Sequence, residues 1–125
     1  MKSRDGLIRL KRFHVEEKRR QVTQIETMIA EFERMAKELD DQIQTEQQRS
    51  GIHDINHFAY PTFAKAAMQR RDNLLASAGE LKQQLAGAKE EYDMAVEELD
   101  KIQALADRDR DQAGDVPEQR AAQGR

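Results

Sequence analysis

The sequence predicts an all-α fold: an antiparallel two-helix coiled-coil hairpin over residues 1–111, with a disordered C-terminal tail at residues 112–125. Three observations predict it. Two long heptad repeats run along the chain, one cluster of helix-ending residues separates them, and the composition does not suit a globular core. Of 125 residues only 38% are hydrophobic and 36% are charged, which fits an elongated structure with a narrow apolar seam. Long stretches rich in Ala, Leu, Glu, Gln, Lys and Arg, with 6 glycines, 2 prolines and no tryptophan, favour helix because these side chains lose little entropy there.

The first heptad places Ile8, Val15, Val22, Ile29, Ala36 and Ile43 at one core position and Ile25, Phe32 and Leu39 at the other. Lys11, Lys18 and Glu46 interrupt it. A turn is expected near residues 50–61, where Ser50-Gly51 suits a helix end and Tyr60-Pro61 suits a helix start. The second heptad places Ala64, Ala78, Leu85, Tyr92, Leu99 and Ala106 at one core position. Ala67, Leu74, Leu81, Ala88, Ala95 and Ile102 occupy its alternate position, and Arg71 is its one charged core residue. Past Asp111 the heptad stops, and Gly114, Pro117 and Gly124 among polar residues predict the tail.

The arms, residues 3–49 and 61–109, are nearly equal, so folding back lets each seam cover the other; each would reach roughly 70 Å at the helical rise. Antiparallel pairing gives layers such as Ile8 on Ile102, Val15 on Ala95, Ile25 on Leu85, Phe32 on Ala78 and Ile43 on Ala67. Large residues repeatedly meet small ones, as close packing requires. The net charge is −3, yet the first 20 residues carry 8 basic and 3 acidic side chains, or +5, leaving −8 elsewhere. The antiparallel register lays that basic stretch beside Glu90, Glu91, Asp93, Glu97, Glu98 and Asp100. A parallel homodimer would instead set Lys11 and Lys18 against their own copies.

Several function classes are disfavoured. With no cysteine there is no disulfide framework, thiol nucleophile or cysteine-ligated zinc. His53-Asp54-x-x-His57 has metal-like spacing but sits in the turn without a third or fourth ligand, so capping histidines are the expected reading and no metal or other cofactor is expected. His14 is expected beside Glu98 as an ionic neighbour. No phosphate-binding glycine loop, zinc-protease motif or Ser/His/Asp set is present, so no enzyme is expected. The basic run from Arg9 to Arg20 could contact phosphate, but its acidic neighbouring helix neutralises it and nucleic-acid binding is not expected. No apolar run approaches the ~20 residues of a membrane span and no signal-peptide segment follows Met1, so a cytosolic chain without membrane insertion is expected.

Apolar residues outside the seam point to protein partners, because two helices cannot bury them alone. At the end away from the turn these are Leu10 and Phe13, with Arg9, Arg12, Arg19 and Arg20 around them; at the turn they are Phe58, Tyr60 and Phe63.

The stretch Leu7-Ile8-Arg9-Leu10-Lys11-Arg12-Phe13, continuing through Glu17-Lys18-Arg19-Arg20 to Ile25-Glu26-x-x-Ile29, resembles the start of flagellar type III export proteins of the FliJ family, in their alphaproteobacterial branch. His57-Phe58-Ala59-Tyr60-Pro61 and Gln69-Arg70-Arg71-Asp72-Asn73-Leu74 resemble that branch's hairpin region, so the likeness covers residues 1–110. The resemblance implies a small cytoplasmic hairpin, shaped like the stalk of a rotary ATPase and peripheral to the inner membrane at the flagellar base. Its partners would be the flagellar export ATPase and the cytoplasmic domain of the export gate membrane protein, with export chaperones as further partners. The basic-apolar start would face the ATPase and the turn aromatics a second partner. A general coiled-coil scaffold, or an export-subunit chaperone of another system, is the alternative.

Overall fold

Helix α1 (Lys2–Ser50) ends where the sequence supplies glycine. Gly51 adopts φ +75°, the left-handed region where a side chain is strained, and its N–H donates to the Gln47 carbonyl at 2.9 Å. Ser50 Oγ accepts the Ile52 N–H at 3.2 Å, so the chain leaves the helix with its first free donor satisfied. Residues 51–61 then make two successive turns, closed by His57 N–H to the Asp54 carbonyl and Tyr60 N–H to the His57 carbonyl. Helix α2 (Thr62–Gln123) starts as the Pro61 carbonyl accepts the Lys65 N–H at 3.1 Å. Proline suits that place because its missing N–H would have no partner there.

The structure, a computed structural model, describes the backbone of residues 2–123 and the side chains of residues 4–112. It is an all-α helical hairpin in which two long helices pack against each other, with no strand among the described residues. The tail expected at residues 112–125 falls almost wholly outside the described side chains. Its backbone is helical as far as Gln123, beyond the end of the heptad, since an existing helix extends by one hydrogen bond per residue fixed.

Two compact units make up the chain. The second, Thr23–Gly87, holds the turn and the better-covered core, in which Ile43, Tyr60, Ala64 and Ala67 pack with Leu39, Ile52 and Met68. Ile43 meets Ala67 here as the large-to-small layering requires, and alanines at four of the unit's buried positions, 36, 64, 67 and 78, let the backbones approach closely. Its antiparallel sense is fixed by Asp40 with Arg71 and by Glu33 with Lys82, where a step forward on α1 is a step back on α2.

The first unit joins Met1–Val22 to Ala88–Arg125. Ile8 and Ala95 are buried, while Val15, Val22, Ala88, Tyr92, Leu99, Ile102 and Ala106 are half-buried. Lys11 pairs with Glu98 at 2.9 Å and Lys18 with Glu91 at 3.0 Å, so one heptad forward on α1 answers one heptad back on α2. Arg4 and Asp109 pair at 2.7 Å in the same antiparallel sense, seven residues back on α1 and eleven forward on α2. In both units every apolar position of the two heptads is buried or half-buried, because a seam of period 3.5 is the only stripe a helix pair can cover.

Candidate functional site

The two cationic interruptions of the first heptad are structural. Lys11 and Lys18 keep their ammonium groups at the edge of the seam, each on a carboxylate of α2, while their aliphatic stems fill the core layer. The hydrogen bond from Lys11 holds the Glu98 carboxyl below the usual range, and the charges of Lys11, His14 and Lys101 add to it. His14 therefore stands beside Glu98, as the register requires. Glu46 turns instead along its own helix to Arg49 at 3.1 Å.

The residues expected to meet a partner in the first unit do not gather into one patch. Leu10 is 62% exposed and Phe13 61%, on the side of α1 away from the seam. Arg12 leans across the opposite flank of the helix pair, its Nη2 donating to Gln103 Oε1 at 3.3 Å. Arg9 and Arg12 line a shallow cleft there with Ile8, Gln103 and Ala106. Arg19 is bonded to Glu16 at 2.8 Å, which raises its pKa and occupies part of its fork. Arg20 is exposed. Of the four arginines expected around the apolar pair, only Arg9 and Arg20 neighbour it on the helix surface without an ion-pair partner among the described residues, because residues 12 and 19 fall on the flank that faces α2.

At the turn the three aromatics also separate. Phe58 is 97% exposed, its ring stacked on His57 with centroids 4.7 Å apart, and Phe63 is exposed beside Gln42, Thr45 and Glu46. Tyr60 corrects the expectation: it is 8% exposed and belongs to the core. Its hydroxyl accepts a hydrogen bond from Gln47 Nε2 at 2.9 Å, so both the ring and its polar tip are satisfied inside the chain. The residue preceding proline is held extended, and here that turns its side chain inward over Ala64 and Met68.

His57 Nδ1 accepts the Ala59 N–H at 3.0 Å, and Asp54 Oδ1 accepts the Asn56 N–H at 3.0 Å, so both side chains cap the turn. Among the described residues no group of three or more His, Cys, Asp or Glu side chains stands close enough to hold a metal, and no helix is long and apolar enough to cross a membrane. Sequence reasoning missed Leu7 and Leu105, 36% and 37% exposed at the edge of the seam; their signal is a leucine immediately before a core position in each heptad.

No family model, curated protein or solved structure matches the chain.

Proposed function

We propose that this chain is a non-catalytic coiled-coil component of a flagellar type III protein export apparatus, cytoplasmic and peripheral to the inner membrane, which engages the export ATPase ring and the export gate. The reading starts from the resemblance of residues 7–29, 57–61 and 69–74 to the FliJ family. The observation that carries it furthest is the exposure of Leu10 and Phe13 beside a buried Ile8. A helix pair has covered its seam and left two large apolar side chains one turn apart, whose burial needs a partner, at about 25 cal/mol per Å² before association costs. Arg9 and Arg20 beside them can fork onto carboxylates of that partner and make its association salt-dependent.

The test is capture of the purified export ATPase by the full chain, with stimulation of ATP hydrolysis as a second readout. Leu10→Ala with Phe13→Ala should weaken both while leaving thermal unfolding nearly unchanged. Retained capture by that variant, or capture indifferent to salt, argues for the alternative of a general scaffold or an export-subunit chaperone. That alternative is favoured by Phe58 and Phe63, whose exposure in the second unit gives the chain further apolar anchors for varied clients.

A further inference from the structure

The first unit has a second feature that neither the heptads nor the basic run accounts for. Leu7 immediately precedes core residue Ile8, and Leu105 immediately precedes core residue Ala106. One heptad along, the same two kinds of position are held by His14 and Glu98, and the Glu98 carboxylate feels the charge of His14. Flanking residues of like position thus face each other across the pair, as Glu33 and Lys82, each just after a core residue, do in the second unit. The register accordingly places Leu7 and Leu105 on one flank of the pair, at the edge of the seam, 36% and 37% exposed. Leu10 follows Leu7 by three residues and Phe13 follows Leu10 by three, so the apolar strip climbs from the groove onto the outer face of α1.

Two cations stand on the α2 side of this groove. Lys101 and Arg108 stand four residues before and three after Leu105, on its side of α2, and both are exposed. No carboxylate lies within ion-pair distance of either among the described residues. Glu98, a carboxylate on this flank, is bonded by Lys11, and Lys101 acts on it only as a charge from beyond ion-pair distance.

We infer that this flank of the first unit is a docking groove for an amphipathic helix of a partner protein, one with an apolar stripe bordered by Asp and Glu. Leu7 and Leu105 form the floor, Leu10 the rising wall on α1, and Lys101 and Arg108 pair with the partner's acids. A second copy fits poorly, because an isologous contact would bring Lys101 and Arg108 of each chain against the same cations. An anionic lipid surface matches the charge but is flat, whereas leucines at the edge of a seam between two helices are reached by knobs inserted into holes. The inference extends the proposed docking end onto α2 and rests on that end being a contact surface, not on the identity of the export system.

The experiment uses the full chain and three probes: a synthetic amphipathic helix with Leu core positions and Glu flanks, the same helix with Lys flanks, and phosphatidylglycerol vesicles. The Glu-flanked helix should bind at least about tenfold tighter than the Lys-flanked one, and weaken with salt. Lys101→Glu with Arg108→Glu should invert that preference, and Leu105→Ser should abolish binding while the helical circular dichroism and melting persist. Phe58→Ala should change nothing. Equal binding of the two helices, binding of neither, vesicle binding that alone responds to these substitutions, or self-association that Leu105→Ser removes would each overturn the inference. If the Glu-flanked helix fails to bind while the parent chain captures the export ATPase, the groove is wrong and the export reading stands. If the acidic helix binds as described and the ATPase is not captured by the parent chain, the converse holds.

Discussion

Arg71 and Asp40 are joined across the helix pair of the second unit, the guanidinium Nη1 donating to the carboxylate Oδ1 at 2.6 Å. Arg71 occupies a core position of its heptad, where an apolar residue would pack on Leu39, and reaches past it to the next residue of α1. Asp72 takes the other side of the fork at 3.1 Å. The hydrogen bond it donates to Asp40 is the chief reason that the guanidinium is held even more firmly protonated than usual. Lys11 on Glu98 and Lys18 on Glu91 repeat the arrangement in the first unit. Three cations at core positions are thus each matched by a carboxylate across the antiparallel pair.

The cations are therefore expected to select the partner helix more than to stabilise it. Singly, Arg71→Leu, Lys11→Leu or Lys18→Leu should change unfolding by under about 1 kcal/mol, since each ion pair is partly exposed and its loss is offset by apolar packing. Combined, they leave an uninterrupted apolar seam open to other registers and to further copies. Sedimentation should then show concentration-dependent association in the triple variant and not in the parent; an unchanged oligomeric state would show that the charges do not specify the pairing.

The parts of this fold that were legible in the sequence are the periodic ones. Ile8, Ile29, Ile43, Ala67 and Ala95 could be assigned to the core because a heptad states at every residue which way a side chain points. Tyr60 could not, because residues 51–61 have no period and a tyrosine before proline is as compatible with an exposed tip as with a core plug. Leu10 and Phe13 were legible as outside the seam, but not which arginines border them: at 100° per residue, residues 12 and 19 point about 100° or more from Phe13, toward α2, and only residues 9 and 20 lie within about 40° of it. Leu105 was not legible because a flanking position is neither core nor plainly solvent.

Tyr60 should behave as a core residue in mutation. Tyr60→Phe removes the acceptor for Gln47 Nε2 and should cost about 0.5–1.5 kcal/mol, less if water reaches the amide. Tyr60→Ala also empties the space among Ile43, Ala64 and Ala67 and should cost about 3 kcal/mol or more. Thermal melts should order the parent above the Phe variant and both above the Ala variant. A melt unchanged in Tyr60→Ala would return this side chain to the exposed surface with Phe58.

Glu98 provides a pH test. Its folded pKa lies below the ordinary glutamate range near 4.3, mainly through the Lys11 hydrogen bond, so its contribution to stability is present above that range. The contribution fades as the pH falls from there through the lowered folded value. Carboxyl NMR titration should place Glu98 below an ordinary glutamate, and Lys11→Met should move it back up. An identical midpoint in the two proteins would mean that the ion pair does not persist in solution.

Two glycines should respond to the same added methyl with opposite signs. At Gly51 and at Gly79 alike, a Cβ would meet nothing within 4 Å, so packing drops out of the comparison and only the backbone differs. Gly51 holds φ +75° where α1 ends, and Gly51→Ala should cost about 1–2 kcal/mol because an L-residue is strained in the left-handed region. Gly79 lies exposed within α2, and Gly79→Ala should stabilise by about 0.5–1 kcal/mol by restricting the unfolded chain and raising helix propensity. Urea unfolding resolves both, and an unchanged slope shows that the same surface is exposed in each variant. A neutral Gly51→Ala would mean that the helix end does not depend on the left-handed residue. A destabilising Gly79→Ala would mean that the outer face of α2 is covered in solution, since the isolated chain leaves room there for the methyl group.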